Sequence, residues 1–252
     1  MTPAVALTIA GSDSGGGAGI QADLKTFAAL RTYGASVITA VTAQNTLGVT
    51  AVHEIPADIV GAQLDAVLDD LPVAAVKIGM VTSVAVAEAI AARLGRLPNV
   101  VLDPVLTATT GRRLGLITTS KPLLLYATVV TPNRAEASEL VGWPVHTPAE
   151  MARAAAEIGS RGPRAVVVTG SGEADVLWTR GGVHVLDGRP VDTRNDHGTG
   201  CTYSSAIAAR LAAGDEVVAA VEFARGYVTG ALTGGRDWNI GRGAGPLDHF
   251  GW

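Results

Sequence analysis

Four short stretches of this chain combine carboxylates, glycines and a thiol at spacings that suit phosphate and cation chemistry better than packing. The first is Gly11-Ser12-Asp13-Ser14-Gly15-Gly16-Gly17-Ala18-Gly19. Glycine costs backbone entropy, so such density fits a chain that must bend sharply or approach a ligand; the plainer alternative is a flexible connection. No Lys-Ser/Thr follows as in a P-loop, and the spacing does not match the dinucleotide fingerprint. The second stretch, His197-Gly198-Thr199-Gly200-Cys201, directly precedes an alanine-rich segment. Glycines opening a helix bare successive backbone N–H groups, where the partial positive charge favours an anion such as a phosphoryl group in transfer. Cys201 then lies in the first turn, where the same field stabilises a thiolate. A cysteine among alanines also serves as a small buried apolar side chain.

The third stretch is Asp103-Pro104-Val105 and the fourth is Thr131-Pro132-Asn133-Arg134-Ala135-Glu136. Asp103, Asn133 and Glu136 carry oxygen donors of the kind that hold Mg²⁺ through water beside nucleotide phosphates. Asn133 followed three residues later by Glu136 fits a helix capping box equally well. Gln44 offers an amide donor and acceptor side by side, the complement of an aminopyrimidine edge, although a surface amide reads the same way locally.

These residues need elements to hold them. Short, β-branched apolar runs at 4–10, 36–43, 74–78, 100–102, 128–130 and 165–168 predict doubly buried strands of a largely parallel sheet. Between them, 20–30, 58–71, 83–94 and 149–160 have helical spacing. Ligands collect beyond the carboxyl ends of such strands, where all four stretches fall. After Val168 the rhythm changes to close-set strands at 176–179 and 183–186 around Gly181-Gly182, an antiparallel hairpin on one edge. Two helices, 199–213 and 215–233, finish the chain. With no repeat, linker or low-complexity tract, residues 1–252 read as one three-layer domain.

The composition narrows the partners. Apolar residues make up 48% of the chain, ample for a core, and the net charge is -4 with no basic run, which argues against nucleic acid and anionic membranes. One cysteine excludes an internal disulfide framework, and neither a spanning segment nor a leader is evident, so the expected location is the cytoplasm.

Taken together and in order, these stretches resemble the hydroxymethylpyrimidine and phosphomethylpyrimidine kinases of thiamine biosynthesis. The resemblance rests on the run from Leu7 to Lys25, on Thr42-Ala43-Gln44-Asn45-Thr46, Val76-Lys77-Ile78-Gly79-Met80, Asp103-Pro104-Val105, Thr131-Pro132-Asn133, Gly198-Thr199-Gly200-Cys201 and Gly245-Pro246-Leu247-Asp248-His249. It implies a ribokinase-like three-layer αβα sandwich with a mostly parallel central sheet and an antiparallel edge. It also implies ATP and Mg²⁺, and two successive phosphorylations, of 4-amino-5-hydroxymethyl-2-methylpyrimidine and then of its monophosphate. The family's substrate contacts fall on Gly11, Ala18, Asp23, Gln44, Met80 and Thr107. Its anion hole falls on Gly198, Thr199, Gly200 and Cys201, with Cys201 the candidate base. Asp103 and Glu136 would hold Mg²⁺ through water, beside Asn133, and relatives of this kind form homodimers. Pyridoxal kinases share the loop set and are the nearest alternative; a non-catalytic pyrimidine-binding protein is a second.

The chain departs from the family pattern at three places. Thr107 stands where an apolar residue is usual, and Asp196 adds negative charge just before the anion hole. A Lys-Gly-Gly-His loop is replaced by Thr169-Gly170-Ser171-Gly172, so Lys77 or an arginine has to supply the cation near the nucleotide.

Overall fold

The structure is a computed structural model and describes residues 2–106, 117–170 and 172–251. Nine strands form one sheet: β1 (Val5–Asp13), β2 (Tyr33–Asn45), β3 (Gly48–Glu54), β4 (Val73–Ile78), β5 (Val100–Leu102), β6 (Val129–Val130), β7 (Ala165–Val168), β8 (Ala174–Thr179) and β9 (Gly182–Asp187). Their spatial order is β3-β2-β1-β4-β5-β6-β7-β8-β9. The six strands from β2 to β7 run parallel, while β3 at one edge and β8 and β9 at the other are antiparallel.

The strand pleat divides the core in two. Leu7, Ile9, Val76, Ile78, Leu102, Val130 and Val166 pack toward α2 (Ala57–Asp70), α3 (Val84–Ala91), α4 (Ile117–Leu124), α5 (Arg134–Val141) and α6 (Pro148–Gly159). The opposite face presents Ala6, Ala75, Val101, Val129, Ala165 and Val167 to α1 (Gly19–Ala29), α7 (Thr199–Ala212) and α8 (Val217–Gly235). Alanines on this face meet the alanine-rich α7, so that helix lies close to the sheet. The result is the expected αβα sandwich.

From β1 the chain runs outward through β2 and β3, then returns through α2 to β4 and continues the other way. The topological switch point therefore lies between β1 and β4, where such sheets open a crevice beyond their strand ends. The glycine-rich loop follows β1, and Gly79-Met80 follows β4.

Two elements and one edge differ from the expectation. Strand β3 makes a second antiparallel edge; its residues are half-buried or exposed on both faces, so it carries no strong apolar alternation. Helix α4 is short and contains Pro122, which hides its helical character. Among the described residues no helix is long and apolar enough to cross a membrane.

Candidate active site

The glycine-rich loop folds around one carboxylate. Asp13 ends β1; its Oδ1 accepts the Gly15 N–H at 2.8 Å, and its Oδ2 accepts those of Gly17 at 3.1 Å and Ala18 at 2.9 Å. His197 Nε2 lies 2.9 Å from the same Oδ2. Burial works to raise the Asp13 pKa, but hydrogen bonds from His197, Ala18 and Gly15 outweigh it and hold the carboxyl below its usual range. A Cβ on Gly17 would overlap the His197 ring, and one on Gly198 would overlap the Gly17 carbonyl oxygen. The loop is thus a cradle pressed against the start of α7 rather than a flexible connection.

Gly198 is the N-cap of α7 and adopts a left-handed φ of 91°, so no side chain caps this end. Thr199 N–H donates to the Asp196 carbonyl oxygen at 3.2 Å, and the next first-turn N–H groups, those of Gly200 and Cys201, are left for a ligand with the helix field behind them. Gly200 is exposed in this turn, and a Cβ there would sit 3.8 Å from Asp103 Oδ2. The anion-binding end of α7 and the Asp103 carboxylate therefore face each other across one gap.

Gln44, near the end of β2, is tied to the loop by its backbone. Ser14 Oγ donates to Gln44 O at 2.7 Å and lies 2.8 Å from the Gln44 N–H that donates to it. The Gln44 carboxamide is suspended between Thr42 Oγ1 and His197 Nε2, 3.2 Å from each. Gly11 leaves room for the Met80 methyl, which a Cβ there would strike. Gly11, Ala18, Gln44, Met80, Asp103, Asn133, Glu136 and Gly198 to Cys201 all line one cleft of about 590 Å³, the size of a small-molecule site.

The capping box at α5 is present: Glu136 N–H donates to Asn133 Oδ1 at 3.0 Å, and Asn133 N–H donates to Glu136 Oε2 at 2.9 Å. Yet the Glu136 carboxyl also opens on the cleft, with Leu106 N–H donating to Oε1 at 3.3 Å. Burial raises the pKa of Asp103, whose Oδ2 accepts Ser204 Oγ at 3.2 Å. Burial, and then the Asp103 charge, raise that of Glu136. Two neighbouring carboxyls that resist ionisation and a buried, unpartnered Thr131 hydroxyl form an oxygen-only donor set that suits Mg²⁺. Among the described residues no three His, Cys, Asp or Glu side chains form a closed cage.

Asp103 and Glu136 hold their protons more tightly folded than unfolded. They therefore stabilise the fold at low pH, and that contribution is lost as pH rises through the folded pKa values. Between about pH 6.5 and 8, the urea stability of the ligand-free protein should fall, and Glu136→Gln should flatten the slope. An unchanged slope would remove Glu136 from this coupling.

Comparison with known proteins agrees with the geometry. The family model for phosphomethylpyrimidine kinase matches residues 13–248. The chain belongs to the phosphomethylpyrimidine kinase family. A hydroxymethylpyrimidine/phosphomethylpyrimidine kinase of Rhizobium meliloti is 52% identical over 98% of this chain and 97% of its own length. The solved phosphomethylpyrimidine kinase of Clostridium difficile is 42% identical with a TM-score of 0.81, covering 91% of this chain and 99% of that one. A Bacillus subtilis pyridoxal kinase in complex with ADP is 36% identical with a TM-score of 0.89, covering 98% of both chains.

Asp23, which the family pattern assigns to the substrate, and Lys77, expected to stand in for the missing cation, both lie elsewhere. Asp23 is wholly buried beneath α7, where it accepts Thr8 Oγ1 at 2.6 Å, Ser205 Oγ at 2.7 Å and Lys77 Nζ at 2.9 Å. Lys77, expected near the nucleotide, is equally buried in this pair. Burial works against its ammonium, but the Asp23 charge and hydrogen bond, with Cys201 and Asp103, together outweigh burial and keep it charged. Neither side chain reaches the cleft. Thr107 lies outside the described residues.

Cys201 opens partly on the cleft but is not the stabilised thiolate that its helix position suggests. Burial pushes the thiol up to about 12, with Asp23 and Asp103 adding to the rise and Lys77 opposing it. Alkylation of the ligand-free protein by iodoacetamide should show a pH midpoint above that of a free cysteine, about 8.5. A midpoint below that value would restore the thiolate.

Sequence reasoning also missed partners. Asp13 organises the cradle, and a carboxylate amid glycine N–H groups was the signal for it. Arg225 lines the cleft, held by Asp175 Oδ2 at 2.9 Å from its Nε, and nothing local in the sequence marks it.

Proposed function

We propose that the protein transfers a phosphoryl group from Mg·ATP to the hydroxymethyl group of 4-amino-5-hydroxymethyl-2-methylpyrimidine, and then phosphorylates the monophosphate to the diphosphate for thiamine biosynthesis. The observation that carries this reading is that the Gln44 amide and the uncapped start of α7 open on the same cleft. In this reading Gly11, Ala18 and Met80 enclose the ring, Gln44 pairs with its edge, and the hydroxymethyl group points at α7.

Asp103 and Glu136, with Asn133 beside them, hold the water shell of Mg²⁺, which when bound screens the nucleotide phosphates. The Gly198–Cys201 backbone stabilises charge on the moving phosphoryl group, the largest contribution expected here. Cys201 is the candidate base. A thiol that keeps its own proton cannot take another, so this role requires Cys201 to be deprotonated before transfer; in a loose transition state the attacking hydroxyl loses its proton late, and the backbone groups contribute more than the base. Arg225 supplies the cation missing from the Thr169 loop. ATP use fits the cytoplasm, and a homodimer follows from the family resemblance.

Steady ADP release on adding the hydroxymethylpyrimidine tests the reading. Gln44→Leu keeps the volume of the side chain but leaves the pyrimidine edge unpaired, which should cost about 1–3 kcal/mol in kcat/KM. Native efficiency in Gln44→Leu would mean that ring recognition lies elsewhere. The ADP-bound pyridoxal kinase neighbour favours one second reading, phosphorylation of a pyridoxal-type alcohol at the same site.

A further inference from the structure

The Gln44 carboxamide has two ends of nearly the same shape, so which is oxygen and which is nitrogen must be decided by its neighbours. As the two atoms are placed, Nε2 faces His197 and Oε1 faces Thr42. Both contacts then fit the chemistry poorly. Asp13 Oδ2 already accepts two backbone N–H groups and is a carboxylate, an acceptor only, so the 2.9 Å contact with His197 requires the proton to be on Nε2. A protonated Nε2 has no lone pair for an amide N–H. At the other end, Thr42 Oγ1 lies 3.0 Å from the Ser12 carbonyl oxygen, which can only accept, so the single Thr42 hydroxyl proton is committed there. An amide carbonyl there would have to share that proton, whereas an amide NH₂ would donate to the hydroxyl's lone pair. Turning the amide over lets its NH₂ donate to a Thr42 Oγ1 lone pair and sets Oε1 against the His197 Nε2–H, whose proton it shares with Asp13 Oδ2.

We propose that Asp13, His197 and Thr42 form a specificity-determining lock that holds Gln44 with Oε1 toward His197 and its NH₂ toward Thr42. Beside the anion-binding end of α7 the cleft then presents an acceptor, and on the Thr42 side a donor. This deepens the kinase reading and rests on it. In the proposed substrate the amino group sits on the carbon next to the one bearing the hydroxymethyl group, and a ring nitrogen follows. With the hydroxymethyl group aimed at α7, the amino group meets Oε1 and the ring nitrogen meets the NH₂. A pyridoxal-type ring carries an aldehyde or a C–H beside its hydroxymethyl group and has no donor to offer Oε1. The lock therefore selects against such rings without steric exclusion.

Two measurements test it. In the ligand-free protein, nitrogen NMR of ¹⁵N-histidine-labelled chain should show His197 Nε2 carrying the proton; a bare Nε2 would overturn the lock. In turnover, the probes are the aminopyrimidine and its 4-oxo counterpart, which reverses the donor and acceptor along the same edge. The native protein should prefer the amino compound by on the order of a hundredfold in kcat/KM, mostly through KM. His197→Phe, which keeps a ring against Gly17 but frees the amide, should bring the two within about tenfold. An unaltered preference in that variant would also overturn the proposal. If the aminopyrimidine gives no ADP release at all, it is the kinase reading that fails, and the NMR result still decides the lock.

Discussion

Replacing Gly200 by alanine is expected to leave the protein as stable as before, or slightly more so, and to reduce turnover by on the order of a hundredfold. Gly200 lies in the first turn of α7 without a left-handed φ, and a Cβ there meets only Asp103 Oδ2, at 3.8 Å. The free protein therefore accommodates the methyl group, and a helical Gly→Ala change can add up to about 0.5–1 kcal/mol. The methyl would, however, occupy the gap in which the phosphoryl group must sit, and a branched valine should be worse. Gly198→Ala is the contrasting case, since its Cβ would overlap the Gly17 carbonyl oxygen at a φ of 91°. That variant should lose stability as well as activity. Melting temperature and ADP release on both variants separate the two effects. Full turnover in Gly200→Ala would show that the phosphoryl group is held elsewhere.

Lys77→Met should give the largest loss of stability. Lys77 and Asp23 are both 0% exposed, so removing the ammonium strands a carboxylate that Thr8 and Ser205 hydroxyls alone must satisfy. Breaking such a pair costs about 3–5 kcal/mol, whereas removing both charges together costs far less. Urea denaturation of Lys77→Met and of Lys77→Met with Asp23→Asn should show the second change recovering part of the loss. Near-native stability of the single variant would mean that the pair is not the anchor of α7. Because Ser205 of α7 bonds Asp23, a looser anchor should also displace the anion-binding turn above it.

What could be read from the sequence follows from which interactions are local. Strands buried on both faces, such as Val100–Leu102 and Ala165–Val168, announce themselves by composition, because every residue is apolar. The edge strand β3 has no buried face to impose a pattern, and Pro122 disguises α4. In the cleft, glycine loops and the Asn133–Glu136 box are legible because their partners lie within a few residues. The Asp13–His197 contact spans 184 positions and the Lys77–Asp23 pair spans 54, distances over which spacing carries no signal. The motif could therefore place Asp23 and Lys77 near the site but not show that they face away from it. The thiol of Cys201 illustrates the same limit. Its helix position was readable, while the burial that outweighs the helix field depends on Asp23 and Asp103 arriving from other elements.

The central claim is best tested by ADP release measured side by side with the hydroxymethylpyrimidine, its monophosphate and pyridoxal. Turnover of the first two well above that of pyridoxal is the predicted result. Efficient turnover of pyridoxal with little response to either pyrimidine would contradict the account, and with it the roles given to Gln44 and to the acceptor it turns toward α7.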